Sequence, residues 1–223
     1  MNTIAIGLVI LVIILLYVLY RFFGLQTTEL ITTASLTGSN PAIPIKNSPS
    51  GTRYAYGIWV YVNSWDTSVS KTIYARDNNI KLYFDNVSPT LKCDIAMNKS
   101  DSQPITVEIT DSFPLQKWTQ IIISVDNQYL DAYIDGKLVN SVKLQGYPQA
   151  PGAATTDPVV LGSGWDAYVS GFQNWNGPIG PQQAWDTYMN GAGSAVSGFF
   201  SQYSINISVD KNNVQQSTYT MNL

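Results

Sequence analysis

The N-terminal residues of this chain constrain its architecture most, because they contain an uninterrupted apolar run. Residues 4–20 carry no charged side chain and no proline. As a helix this run extends about 26 Å, slightly short of a hydrocarbon core of about 30 Å, and an arginine that follows it can snorkel and lengthen the span. We therefore predict a transmembrane anchor over residues 1–25. Its marker residues are Ile4, Ile10, Tyr20 and Arg21.

Few residues indicate on which side of the membrane the C-terminal domain lies. A cleaved signal peptide is the competing interpretation, but the first three residues carry no basic side chain and no small-residue cleavage motif follows the run. Arg21 lies on the C-terminal side of the span, and a single cysteine, Cys93, argues against a disulfide-bonded secreted domain. Both favour a cytosolic C-terminal domain. Sequons at Asn86, Asn98 and Asn206 favour the lumenal side instead.

The inventory of titratable residues excludes much of the enzyme repertoire. The 223-residue chain has no histidine, one cysteine and two glutamates, so imidazole catalysis and Cys-rich zinc clusters are excluded. Glu29 lies in a polar segment and Glu108 alternates outward on a predicted strand, so no carboxylate pair suited to glycoside hydrolysis is evident. With 12 basic and 15 acidic residues, no basic patch dominates. We expect no enzymatic activity, no cofactor, no metal and no nucleic-acid partner.

The segment that follows the apolar run is polar. Residues 26–51 are rich in threonine, serine and proline, a composition that predicts a stem between the membrane and a domain. The alternative is that parts of this segment form edge strands of that domain, because Leu30-Ile31 and Ala42-Ile43 are able to pack against it. The sequence leaves both interpretations open.

Residues 52–223 are predicted to be β-structure, since short β-branched and aromatic runs alternate with turn residues. The apolar run at residues 121–125 predicts a buried strand. Asp135-Gly136 is the signal of a two-residue type I′ turn, and residues 137–143 return as the partner strand. One short helix is predicted over Pro181–Asn190, with proline in its first turn and a glycine after its end.

Several of these strands have a familiar sequence. Residues 113–126, the hairpin 130–139, the early strand Tyr56-Gly-Ile-Trp-Val-Tyr-Val62 and the later Val160-Leu-Gly162 resemble the concanavalin A-like lectin/glucanase superfamily, nearest to its laminin-G-like branch. The resemblance covers residues 52–223. It implies an all-β fold, an antiparallel jelly-roll β-sandwich, here with one short helix and an N-terminal transmembrane helix.

The C-terminal part carries a narrower resemblance. Residues 175–191, with Phe199-Phe200 and residues 203–209, are similar to membrane-anchored laminin-G-like proteins of large double-stranded DNA viruses, including those that infect algae. The resemblance implies a non-catalytic minor capsid protein of the virion, with its sandwich on the cytosolic-equivalent side. Its partners would be the lipid bilayer and other capsid or membrane-associated proteins. The alternative is a single-pass cell-surface lectin-like module that binds carbohydrate or mediates adhesion.

One aromatic segment is a candidate partner surface. It lies between Gly162 and Gly180, which we expect to be a loop, and its candidate residues are Trp165, Asp166, Tyr168, Phe172 and Trp175. Sugar rings stack on exposed aromatic side chains, and carboxylates or amides bind their hydroxyls. The alternative is that the aromatics fill the end of the sandwich. A calcium site needs several converging oxygen ligands, and Asp157 and Asp166 alone do not define one.

Overall fold

The computed structural model describes residues 10–17, 27–46, 48–98, 103–152, 157–191, 204–211 and 214–222. Among these residues, two segments are helical, α1 (residues 10–17) and α2 (Pro181–Met189). The strands are β1 (Thr27–Ser35), β2 (Arg53–Val62), β3 (Lys71–Arg76), β4 (Ile80–Phe84), β5 (Leu91–Ile95), β6 (Ile105–Thr110), β7 (Thr119–Asp126), β8 (Tyr129–Ile134), β9 (Lys137–Lys143), β10 (Val159–Leu161), β11 (Ala167–Trp175), β12 (Ser204–Lys211) and β13 (Val214–Asn222).

Two antiparallel sheets form a β-sandwich. One sheet has the strand order β1-β11-β2-β7-β8-β9, and the other has the order β10-β3-β4-β5-β6. Strands β12 and β13 form a separate hairpin. The inward side chains alternate along each strand, as Tyr54, Tyr56 and Ile58 do in β2, and they share one hydrophobic core between the sheets. The all-β sandwich with a short helix is therefore confirmed, in an arrangement consistent with a jelly roll.

Helix α2 covers the outer face of the six-stranded sheet, which is the face that points away from the other sheet. Ala184 is buried there against Ile122 and Tyr133 in a second apolar cluster. The Ser124 hydroxyl donates to the carbonyl oxygen of Ile179 at 3.1 Å and accepts from its N–H at 3.0 Å, so the loop before the helix is fixed to β7. The predicted helix is confirmed, and it packs on this sheet face.

The polar segment before the sandwich is part of the sheet. Strand β1 pairs antiparallel with β11, from Thr27 opposite Trp175 to Ser35 opposite Tyr168. Ile43 then forms a β-bridge with Val159. The prediction of a free stem over residues 26–51 and of a sandwich that begins at residue 52 is wrong, because these backbone groups satisfy one another by strand pairing. The alternative of edge strands describes the segment correctly.

The predicted transmembrane segment lies mostly outside the described residues, which include Ile10 but neither Ile4, Tyr20 nor Arg21. Residues 10–17 are helical, and their large apolar side chains are 42–66% exposed. Among the described residues, no helix has the length and apolar character needed to cross a bilayer.

The loop expected between Gly162 and Gly180 contains strand β11 instead. The strand contains a β-bulge, where its register with β2 shifts between Ser170 and Gln173. Gly171 within the bulge has φ +54°, a conformation that favours glycine. The extra residue interrupts the two-residue alternation, and for this reason the pattern did not predict a strand.

The hairpin between β8 and β9 offers a direct test of the fold. Asp135 and Gly136 have φ +48° and +72°, as a type I′ turn requires. A Cβ on Gly136 would also lie 3.1 Å from Cα of Trp185 in α2. Gly136→Val should therefore lower the free energy of unfolding by about 1–3 kcal/mol, measured by urea denaturation. Gly38→Val is the control, because a Cβ there meets nothing within 4 Å. Equal stability of the two variants would contradict this assignment.

Candidate binding site

Three of the predicted surface aromatics are not on the surface. Trp165 is 4% exposed, Phe172 0% and Trp175 2%. Phe172 lies in the core, with its ring centroid 5.0 Å from that of Tyr74. Trp175 belongs to the cluster under α2, and its indole would lie 2.8 Å from a Cβ at Gly57. The expectation of a partner surface is wrong for these three side chains. Trp165 and Phe172 fill the core between the sheets, as the alternative interpretation proposed, and Trp175 is buried on the outer face under α2.

The other two candidates remain accessible, but only one of them lines a cleft. Tyr168 is exposed on β11, and Asp166 precedes that strand in the loop after β10. Asp166 lies in a cleft of about 280 Å³ at one end of the sandwich, together with Thr37, Ser64, Asp66 and Lys71. We call it the Asp166 cleft. Whether Asp166 and Tyr168 bind a partner stays a prediction.

Asp166 organises its own cleft. Its Oδ2 accepts hydrogen bonds from Nδ2 of Asn63 and from Oγ of Ser64, both at 2.7 Å. Its carbonyl oxygen also accepts from the Asn63 N–H at 3.1 Å. The loop after β2 is thus held to the loop before β11. Within the described part of the chain, Oδ1 of Asp166 accepts no hydrogen bond and is available to a ligand.

The second carboxylate in the cleft is held ionised. Oδ1 of Asp66 accepts from Oγ of Ser68 at 2.7 Å and from its N–H at 2.8 Å, and these hydrogen bonds lower the pKa of Asp66. A general acid for glycoside hydrolysis needs the opposite shift, a raised pKa. The cleft therefore offers hydrogen-bond acceptors and negative charge, which suit binding better than proton transfer.

A buried lysine lies beneath these carboxylates. Nζ of Lys71 donates to the carbonyl oxygens of Val69 at 3.0 Å and Asn86 at 3.1 Å, and it lies 4.5 Å from the centre of the Trp65 ring. Burial lowers its pKa, while the nearby Asp66 opposes that shift. Lys71 forms no ion pair with another described residue, so carbonyl groups and an aromatic face solvate its charge.

Sequence reasoning missed a second cleft, whose described lining is uncharged. It has a volume of about 510 Å³ and is lined by Met97, Asn98, Gln103, Gln145 and Tyr147, with no charged residue among its described lining residues. Tyr147 is 57% exposed. The Asn98 N–H donates to the Tyr147 carbonyl oxygen at 3.0 Å, which fixes the loop after β9 to the end of β5. The only sequence signal was a tyrosine in a loop rich in glycine and proline. We call it the Tyr147 cleft.

The remaining acidic candidates have structural roles or lie apart. Asp135 accepts from the N–H of Gln120 at 3.0 Å and from Nζ of Lys117 at 2.8 Å, as expected for a turn residue. Oδ2 of Asp157 accepts from the Gly152 N–H at 3.1 Å, away from Asp166. Over the ranges that the structure describes, no group of three acidic or cysteine side chains converges to hold a metal.

Comparisons with known proteins agree with this fold. The family model described as "Concanavalin A-like lectin/glucanases superfamily" matches residues 37–193. No curated protein matches the chain. Among solved structures, the receptor binding domain of botulinum neurotoxin C/D mosaic serotype is similar at 13% identity and a TM-score of 0.57, covering 75% of this chain and 46% of that chain.

Two further structures show the same likeness. The botulinum neurotoxin serotype G binding domain has 13% identity and a TM-score of 0.55, covering 82% of this chain and 49% of that one. The binding domain of botulinum neurotoxin DC in complex with rat synaptotagmin II has 11% identity and a TM-score of 0.55, covering 74% and 46%. The match spans about half the length of those chains, and at this identity it shows the fold alone.

The Asp166 hydrogen bonds predict a local effect. Asp166→Ala should release the loop after β2, increase hydrogen exchange at the amides of Asn63 and Ser64, and cost about 1 kcal/mol of stability. Asp131→Ala is the control, because it removes one exposed hydrogen bond, to Ser141 on the neighbouring strand. Unchanged exchange at Asn63 and Ser64 in Asp166→Ala would show that this carboxylate does not hold the cleft together.

Proposed function

Because the chain belongs to the concanavalin A-like lectin/glucanases superfamily, we propose that it is a non-catalytic binding module held at a membrane by its N-terminal apolar segment. The observation that carries the proposal is the exposure of residues 10–17, whose large apolar side chains are 42–66% accessible in a continuous run. A run of this kind is unfavourable in water and needs an apolar environment. Residues 4–20 carry no charge, so lipid is the environment that fits them.

The chemistry of the described clefts supports the non-catalytic part of the proposal. In the Asp166 cleft, the pKa of Asp66 is lowered and the buried Lys71 is engaged by carbonyl groups. The Tyr147 cleft offers amide and aromatic side chains, with no acid or base among its described lining residues. Both sets of groups suit recognition of a ligand.

The specific form that we propose is a minor capsid protein, which tethers the internal membrane of a virion to the capsid shell. The similarity of residues 175–191 and 203–209 to membrane-anchored viral proteins supports it. The positive charge of Arg21 after the span and the single Cys93 support a sandwich on the cytosolic-equivalent side. The partners would be the bilayer and capsid or membrane-associated proteins.

A cell-surface lectin-like module is the second candidate, and the Tyr147 cleft favours it. The exposed Tyr147 ring offers a face on which a sugar can stack. The side-chain amides of Asn98, Gln103 and Gln145 donate to and accept from hydroxyl groups. Amide and aromatic groups bind uncharged hydroxyl-bearing ligands, so neutral oligosaccharides are the ligands to test.

The membrane anchor is tested by charge insertion. Ile10→Asp with Val12→Asp should release the full chain from vesicles in a flotation assay, because each aspartate costs about 3 kcal/mol within the bilayer. Leu138→Asp with Val160→Asp is the matched control, since these side chains are similarly exposed but lie on the sandwich. The control should still float, and both variants should keep the melting temperature of the sandwich. Flotation of the Ile10/Val12 variant would contradict the anchor.

The lectin-like alternative is tested by titration with neutral oligosaccharides. Tyr147→Ala and Gln103→Ala should each weaken binding by up to about tenfold, since each removes a stacking or hydrogen-bonding group. Tyr129→Ala is the control, because Tyr129 is as exposed as Tyr147 but lies on β8. Equal affinities of the Tyr147 and Tyr129 variants, or no binding by the unaltered chain, would remove the support for this alternative.

A further inference from the structure

The pairing of β1 determines which end of the sandwich lies next to the membrane, given the anchor proposed above, on which this inference rests. Strand β1 begins at Thr27, two residues after the predicted end of the span at Leu25. Two residues extend at most about 7 Å. Thr27 pairs with Trp175, and Trp175 pairs with Ala55, so the corresponding ends of β11 and β2 lie beside it. We call this the Thr27 end.

The Thr27 end carries an open polar cleft of about 730 Å³. Its lining includes Lys46, Ser50, Thr52, Arg53 and Asn176, and the described lining contains two cations and no acidic residue. Asn176 directly follows Trp175, the partner of Thr27. The cleft therefore lies where the chain leaves the predicted span.

Both cations are available to an anion. Lys46 is exposed and forms no ion pair with any residue in the described ranges. Nε of Arg53 lies 3.0 Å from Oδ1 of Asp126, but the two side chains are 61% and 47% exposed. An exposed pair of this kind contributes little to stability, so Arg53 can exchange Asp126 for another anion or bind one with its remaining N–H groups.

Hydrogen bonds hold the loop that lines the cleft, residues 48–52, in place. Nη2 of the buried Arg76 donates to Oγ of Ser48 and to the Gly152 carbonyl oxygen, at 2.8 and 2.7 Å. Oγ1 of Thr52 donates to Oδ1 of Asn127 at 2.9 Å. These contacts fix residues 48–52 at both ends, which lowers the entropic cost of binding at the cleft.

From this arrangement we propose that the cleft at the Thr27 end lies on the bilayer and binds the phosphates of anionic lipid headgroups through Lys46 and Arg53. A guanidinium matches phosphate oxygens with two parallel hydrogen bonds, and an ammonium adds a point charge. The adjoining span commits the ligand to membrane lipid, because it holds the cleft at headgroup depth. The Asp166 cleft lies at the other end of the same strands, with Asn63 just after β2, and so faces away from the bilayer.

The orientation is tested with the full chain in vesicles that contain headgroup-quencher lipids. A fluorophore is attached at Ser50→Cys in the cleft or, as control, at Val87→Cys, which is 76% exposed in the turn after β4. The native Cys93 is buried and does not compete for the label. We expect strong quenching at residue 50 and little at residue 87. Equal quenching, or stronger quenching at residue 87, would overturn the proposal.

The headgroup site is tested by lipid composition and by charge removal. Quenching at residue 50 should increase from phosphatidylcholine vesicles to vesicles that also contain phosphatidylserine. Lys46→Gln with Arg53→Gln should abolish this increase, since each cation contributes about fivefold near an anionic surface. Lys117→Gln with Lys137→Gln is the matched control, because Lys117 is about as exposed as Arg53 and likewise pairs with a carboxylate, that of Asp135. This variant should keep the increase.

The outcomes separate this site from the anchor itself. An increase that survives in the Lys46/Arg53 variant, or no dependence on phosphatidylserine, would overturn headgroup binding while the chain still floats with vesicles. A full chain that does not float would overturn the proposed membrane function instead.

Discussion

The antiparallel pairing of β1 with β11 decides where the N-terminal segment joins the sandwich. It makes the segment after the apolar run an edge strand of the six-stranded sheet, from Thr27 to Ser35. Backbone groups that would be solvated in a free stem are satisfied by the ladder instead. Under the proposed anchor, Thr27 lies only two residues after the end of the span at Leu25, so the two ends of the sandwich would have different surroundings.

The two ends of the sandwich carry clefts with different charged side chains. Around the Thr27 end, the buried Arg76 donates to Oη of Tyr56 and to three acceptors in neighbouring loops, so a single guanidinium holds the loop that carries Lys46 and Arg53. At the opposite end, Asp166 holds the loop after β2 through Asn63 and Ser64. Arg76 at one end and Asp166 at the other therefore hold loops whose backbones lie outside the β-sheets. These loops line the polar clefts.

The sequence predicted those elements whose local residue pattern matches their conformation in the structure. Asp135-Gly136 identified the β8–β9 hairpin because its left-handed backbone restricts the residues allowed there. β11 was missed because the bulge at Gly171 breaks its alternation. The sequence did not decide whether Trp165, Phe172 and Trp175 are buried, because an aromatic residue near glycines is compatible with a surface position and with a core position. The Tyr147 cleft brings together residues from distant parts of the chain, and sequence spacing does not reveal such a site.

Hydrogen exchange of the full chain in lipid nanodiscs tests whether the sandwich is joined directly to a membrane span. We expect slow exchange at the amides of residues 27–35, because this strand pairs with β11, and slow exchange across the apolar run in lipid. No fast-exchanging spacer should separate the two. Rapid exchange throughout residues 26–51 would mean a free stem, and it would contradict both the direct attachment of the sandwich to the membrane and the orientation derived from it.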